Sequence, residues 1–90
     1  MSIFYISIFS KSEETKIALE KNSSGHILSY IQAHEGQWFV SFKGTSKELS
    51  DLLGIPGSNG GQTGVVVAVS GYYGFAPNDV WEFIAAHWND

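Results

Sequence analysis

The chain predicts an α+β fold, a mostly antiparallel four-stranded sheet with helices on one face, in the order β-α-β-β-α-β-α. Three observations lead there. The first nine residues hold an apolar run of strand length. Two capping-box patterns each precede sequence compatible with a helix. Turn residues divide the remainder into short segments that alternate or run apolar. Ninety residues are enough for one domain, taken as residues 1–90, and such a chain buries only about 60–65% of the surface it exposes when unfolded.

"IFYISIF" (3–9) is apolar on both faces apart from Ser7, the composition expected of a central strand. Ser10 with Glu13 forms the first capping-box pattern, and "KSEETKIALEK" follows as a candidate helix whose apolar residues, Ile17, Ala18 and Leu19, are contiguous and not periodic. "NSSG" reads as a turn. Residues 26–33 and 37–43 read as two strands joined by a tight turn at Glu35-Gly36. In the second, Trp38, Val40 and Phe42 share one face, and Phe39, Ser41 and Lys43 share the other. Thr45 with Glu48 is the second capping box, followed by Leu49, Leu52 and Leu53 at helical spacing and Gly54 as the stop. "IPGSNGGQTG" is a loop, "VVVAVS" (65–70) a buried strand, and Pro77 opens a last helix running to about residue 88. The order is the split βαβ of a ferredoxin-like fold with one helix added at the end.

Charge narrows the class of partner. The net charge is −4, and all five basic residues are lysines. Without arginine there is no bidentate fork for phosphate or guanine. Residues 1–47 sum to +1, whereas residues 48–90 hold Glu48, Asp51, Asp79, Glu82 and Asp90 with no lysine, giving −5. Such a half repels nucleic acid and membrane surfaces and attracts a basic partner. Cysteine is absent, which excludes disulfides and thiolate metal sites. "MSIFYISIF" has no positive n-region and no run of membrane-spanning length, so a cytoplasmic protein is expected.

No motif points to a cofactor or a metal. "GSNGGQTG" (57–64) has no Walker lysine and no G-x-G-x-x-G spacing, and it precedes a strand instead of a helix. His26, His34 and His87 lack ligand spacing. The acid pairs Glu13/Glu14 and Asp79/Glu82 have a simpler account, since acids favour the first turn of a helix. Trp38, Phe39 and Phe42 could be imagined as base-stacking residues, but "WFVSFKG" lacks the basic-Gly-aromatic signature of RNA-binding sheets.

The last helix is the unusual element. At about 100° per residue, Phe83, His87, Val80, Ile84, Trp88, Trp81 and Ala85 spread across about 200°, where a helix lying on a core needs an apolar stripe of about 100°. Val80, Phe83, Ile84 and His87 read as core. Trp81, Ala85 and Trp88 read as a second seam, flanked by Asp79 and Glu82 and preceded by Tyr72, Tyr73 and Phe75. Tryptophan and tyrosine ringed by polar groups is the composition of interface hot spots.

"YYGFAPNDVWEFI" (72–84) resembles the inhibitory segment of barstar-type ribonuclease inhibitors, in which a Tyr-Tyr-Gly loop leads into a helix carrying Trp followed by an acid. Tyr72, Tyr73, Gly74, Trp81 and Glu82 match in type and spacing, and Asp79 lies one position from the corresponding acid. The match covers thirteen residues of ninety and sits late in this chain where the family carries it early. The resemblance implies a loop and helix able to plug a basic cleft. The expected site is therefore Tyr72, Tyr73, Phe75, Asp79, Trp81, Glu82, Trp88 and Asp90. The expected function is a small acidic non-enzymatic inhibitor or immunity protein that masks the basic active site of a toxin such as a nuclease. The alternatives are a self-associating homodimeric domain, structural or small-molecule-binding, and a small acid–base enzyme built on His87 or His34.

Overall fold

The computed structural model describes residues 2–10, 12–55, 63–71 and 78–88. Its elements follow the expected order: β1 (Ser2–Ser10), α1 (Ser12–Ser24), β2 (Leu28–His34), β3 (Gln37–Phe42), α2 (Ser46–Leu53), β4 (Thr63–Ala68) and α3 (Asn78–His87). The strands form one sheet in the order β2-β3-β1-β4, and every neighbouring pair is antiparallel. β3 is thus inserted between β1 and β2, and β1 between β3 and β4, which is the ferredoxin-like split βαβ arrangement.

β1 lies at the centre, as its two-faced apolar sequence requires. Phe4, Ile6 and Ile8 project to one face and join Trp38, Val40, Phe42 and Leu28 in a core completed by Leu19 of α1, by Leu49 and Leu53 of α2, and by Ile55. The edge-on contact of the Phe4 and Phe42 rings, 6.3 Å between centroids, belongs to this layer. Ile3 projects to the opposite face, where it meets Val80 and Ile84 of α3 together with Ala33, Phe39 and Val69. Helices on one face describes α1 and α2, and α3 takes the other. The cause is already present in the strands: Ile3, Phe39, Ile31 and Ala33 are apolar on the second face, and a sheet apolar on both sides must be covered on both.

Several local expectations shift. Ser10 does not cap α1; it lies in β1, and its Oγ bonds Thr63 Oγ1 at 2.8 Å, pinning β1 to β4. α1 buries Thr15 and Leu19 and leaves Ile17 exposed, so of the contiguous apolar residues only Leu19 and, in part, Ala18 face the core. The helix also runs through Asn22, Ser23 and Ser24, where a turn is expected. Asn22 Nδ2 donates to Ala18 O at 2.8 Å, and the chain reverses at His26, which has a φ of 61°. β2 consequently starts at Leu28 and not at residue 26.

α2 follows its sequence signals closely. Thr45 Oγ1 accepts from Glu48 N, and Glu48 Oε1 accepts from Thr45 N, completing the capping box. At the other end Gly54 adopts φ 74°, its N–H donates to Asp51 O, and Ile55 N donates to Ser50 O at 2.9 Å, the Schellman pattern. The buried Ile55 side chain then joins the core.

β4 is expected as a buried strand over 65–70. It is instead an edge strand with Val65 44% and Val67 49% exposed. A continuous run of valines states that the segment is apolar but not whether it has one neighbour or two. Gly64 is required where β1 bulges between Ile8 and Ser10. A Cβ there would stand 2.5 Å from Ser7 O and 2.7 Å from Ile8 Cδ1. Gly64→Ala should therefore lower stability by about 1–3 kcal/mol through overpacking. Ile84→Ala should cost about 2–5 kcal/mol as a cavity in the α3 core. Urea unfolding followed by tryptophan fluorescence measures both, and an Ile84→Ala loss near zero would show that α3 is not part of the cooperative core.

Candidate functional site

Four of the eight expected site residues, Asp79, Trp81, Glu82 and Trp88, can be placed. Tyr72, Tyr73, Phe75 and Asp90 lie outside the described residues, as does Pro77. The placed residues divide by helical phase. Val80 and Ile84 are buried against the sheet. Phe83 and His87 are half-buried on one flank, and Trp81 and Trp88 are half-buried on the other, with all but His87 packed against the cluster of Ile3, Val80 and Ile84. Asn78, Asp79, Glu82, Ala85 and Ala86 are exposed and form the outward face.

This arrangement changes the role expected for the tryptophan seam. Trp81 and Trp88 each commit part of their surface to the second core and present the rest at the rim of the outward face. They are at once core and border, while Ala85, expected with them in the seam, is fully on the exposed side. Ala85 and Ala86, which composition does not single out, keep the outward face flat, so that among the helix's own exposed side chains nothing is bulkier than the two carboxylates and Asn78. A count of helical phase centred on Val80 and Ile84, and not on the whole apolar arc, would have identified that face.

The acids of the second half of the chain are not equivalent. Glu48 is engaged in the α2 cap. Asp51 pairs with Lys47 at 2.8 Å, an exposed contact whose hydrogen bond and charge hold the lysine above its ordinary pKa. On α3, Asp79 Oδ1 accepts from Val80 N at 3.0 Å while remaining exposed. Glu82 is exposed and makes no hydrogen bond or ion pair among the described residues. Among the described acids of residues 48–90, the two left free to face a partner are therefore on α3, where Asp79 and Glu82 lie at i and i+3 on one side of the helix.

Among the described residues no histidine makes an ion pair with a carboxylate. His87 Nδ1 lies 2.8 Å from Phe83 O. A carbonyl can only accept, so Nδ1 carries the proton in that bond. The imidazole also stacks obliquely on the Phe83 ring at 4.3 Å between centroids. His34 is exposed at the end of β2. Among the described residues no cluster of three or more His, Asp or Glu could hold a metal ion, and no pocket is found. Of the aromatics considered for base stacking, Trp38 and Phe42 are buried beneath α1 and α2, and Phe39 lies half-buried beside Tyr5, 5.3 Å between centroids, on the α3 side. No helix among the described residues is long and apolar enough to cross a membrane.

These features define a ferredoxin-like α+β domain that carries a flat, acidic helix face rimmed by tryptophan. Comparison of the chain with protein-family models, with curated proteins and with solved structures finds no match. Because Trp81 contributes to the second core and Glu82 does not, the two residues should separate in a stability measurement. Trp81→Ala should lower the unfolding free energy by about 1–3 kcal/mol, and Glu82→Gln should leave it within about 0.5 kcal/mol. Urea titration followed by far-UV circular dichroism checks both, and equal effects would contradict the division of α3 into a packed side and a free side.

Proposed function

We propose that this chain is a small acidic binding protein that performs no chemistry of its own and docks the outward face of α3 onto a basic protein. In its most specific form it is an inhibitor or immunity protein of the cytoplasm that masks the basic active site of a toxin such as a nuclease. One observation carries the reading: Asp79 and Glu82 stand together on an exposed helix face built otherwise of Asn78, Ala85 and Ala86, with Trp81 at its edge.

Each part of that face has a physical role in such a complex. Two uncompensated carboxylates steer a positively charged partner and raise the rate of encounter. The alanines let a partner's surface approach the helix closely. Trp81, held in position by the core behind it, offers a rigid aromatic anchor with little conformational entropy left to lose. The resemblance of residues 72–84 to the barstar-type inhibitory segment supports the same use of the helix, since there too a Trp-acid pair faces a basic cleft.

The test uses charge reversal, because Asp79 and Glu82 are exposed and outside both cores, so that the cost to stability is limited to about 1 kcal/mol for the acid lost from the first turn of α3. Asp79→Lys with Glu82→Lys should weaken binding to a basic nuclease at least about tenfold, measured by biolayer interferometry across a panel of basic nucleases, with the loss carried largely by the association rate. The wild-type association rate should itself fall steeply as salt rises from about 0.01 M to 0.15 M. A double variant that binds every responding nuclease as tightly as the wild type would exclude this face as the docking surface.

A further inference from the structure

The sheet has two edges, and they are not alike. At the β4 edge the pairing phase fixes which main-chain groups point outward. Val69 N donates to Ile3 O at 2.9 Å, and this pair continues the register of Tyr5↔Val67 and Ser7↔Val65. Residues of an antiparallel pair alternate between bonded and non-bonded positions. Val65, Val67 and Val69 therefore turn their N–H and C=O groups towards β1, and Gly64, Val66 and Ala68 turn theirs away from the sheet. The phase is consistent across β1, where Ile8 N donates to Gly36 O of the β2–β3 turn at 2.8 Å. Among the described residues nothing bonds the outward groups of Gly64, Val66 and Ala68.

Exposed edges are ordinarily blunted by charge, proline or a bulge in the edge strand. "TGVVVA" has no charged residue and no proline, and the bulge at Ile8/Ser10 falls in β1 and leaves β4 regular. Val65 and Val67 add an exposed apolar pair on the sheet face that carries α3, which packs against β1, β2 and β3. The β2 edge is different. Its register shifts between Gln32 and His34, Gln32 Nε2 donates to His34 O at 3.2 Å, and α1 and α3 lie against its two faces.

We infer that β4 pairs with the β4 strand of a second copy of this chain, antiparallel about a two-fold axis at Val66, so that two four-stranded sheets become one continuous sheet. A second copy fits because the edge is complementary to itself. Val66 faces Val66, and Gly64 faces Ala68, each pair exchanging N–H···O=C bonds in the bonded phase. Val65 then stands opposite Val67 of the other copy in the intervening non-bonded positions, a β-branched cross-strand pair that stabilises the junction. Charge selects the place of contact. With a net charge of −4, two copies repel over most approaches, and the uncharged β4 edge lets them meet without opposing carboxylates.

Sedimentation equilibrium of the full chain at about 0.1 mM is the test. The wild type should sediment at twice its 9.9 kDa mass. Ala68→Pro removes an outward N–H and leaves the β1 bonds in place, which is the position an edge strand tolerates proline, so it should shift the chain to monomer mass with an unchanged circular dichroism spectrum. Val65→Lys with Val67→Lys opposes cations across the axis at two exposed sites and should give the same shift, so it decides the matter if the proline variant does not fold. This surface is separate from the acidic face of α3, and Asp79→Lys with Glu82→Lys should leave the dimer intact. A wild type of monomer mass, or a dimer that survives the double lysine variant, overturns the inference.

Discussion

Ile3 and Phe4 are neighbours in β1 that point in opposite directions, and they are 3% and 2% exposed. Two adjacent buried residues on a strand oblige the chain to cover both sides of its sheet. The first side is closed by the α1 and α2 crossovers that the split βαβ order supplies. The second has no crossover left to close it, so a helix beyond β4 must do so, and α3 does. That requirement sets the orientation of α3. Val80 and Ile84 must face inward, which sends Glu82, Ala85 and Ala86 outward and holds Trp81 and Trp88 at the boundary. The acidic face thus follows from the helix's structural duty, and only the identity of its outward residues is free to serve a partner.

Much of this was legible in the chain. The alternation of Trp38, Val40 and Phe42 against Phe39 and Ser41 placed β3 in the sheet correctly, and Thr45, Glu48 and Gly54 delimited α2 because caps act through local hydrogen bonds that sequence spells out. Ser10 misleads for the opposite reason. Its hydroxyl satisfies the local capping pattern, but a long-range bond to Thr63, 53 residues away, claims it. α1 shows the same dominance of tertiary contact over pattern, forming without an apolar stripe because Leu19 and Thr15, with Ala18 in part, are what reaches the core.

What could not be read was adjacency. Apolar continuity in residues 65–70 does not distinguish a central strand from an edge, and Val65 and Val67 lie on the α3 side of the sheet but to one side of the strands that α3 packs against. The breadth of the apolar arc on α3 likewise does not reveal that Phe83 and Trp81 share the flanks of one packed face. Both distinctions depend on where α3 crosses the sheet, which is a property of the whole fold and of no single segment. The site followed the same rule: the acids were identifiable as charges, but their freedom to meet a partner emerged only once Glu48 and Asp51 were seen to be engaged within α2.

The claim on which the functional account turns is that α3 meets its partner with its outward face while its inner face stays in the core. Amide chemical-shift mapping on the isotopically labelled chain, titrated with a basic nuclease that binds it, tests this directly. The account predicts that the largest shifts fall on Asn78, Asp79, Trp81, Glu82, Ala85 and Ala86, with the amides of β2 and β3 unmoved. Shifts concentrated instead on α1, α2 or the β4 edge, with those of α3 unchanged, would contradict it.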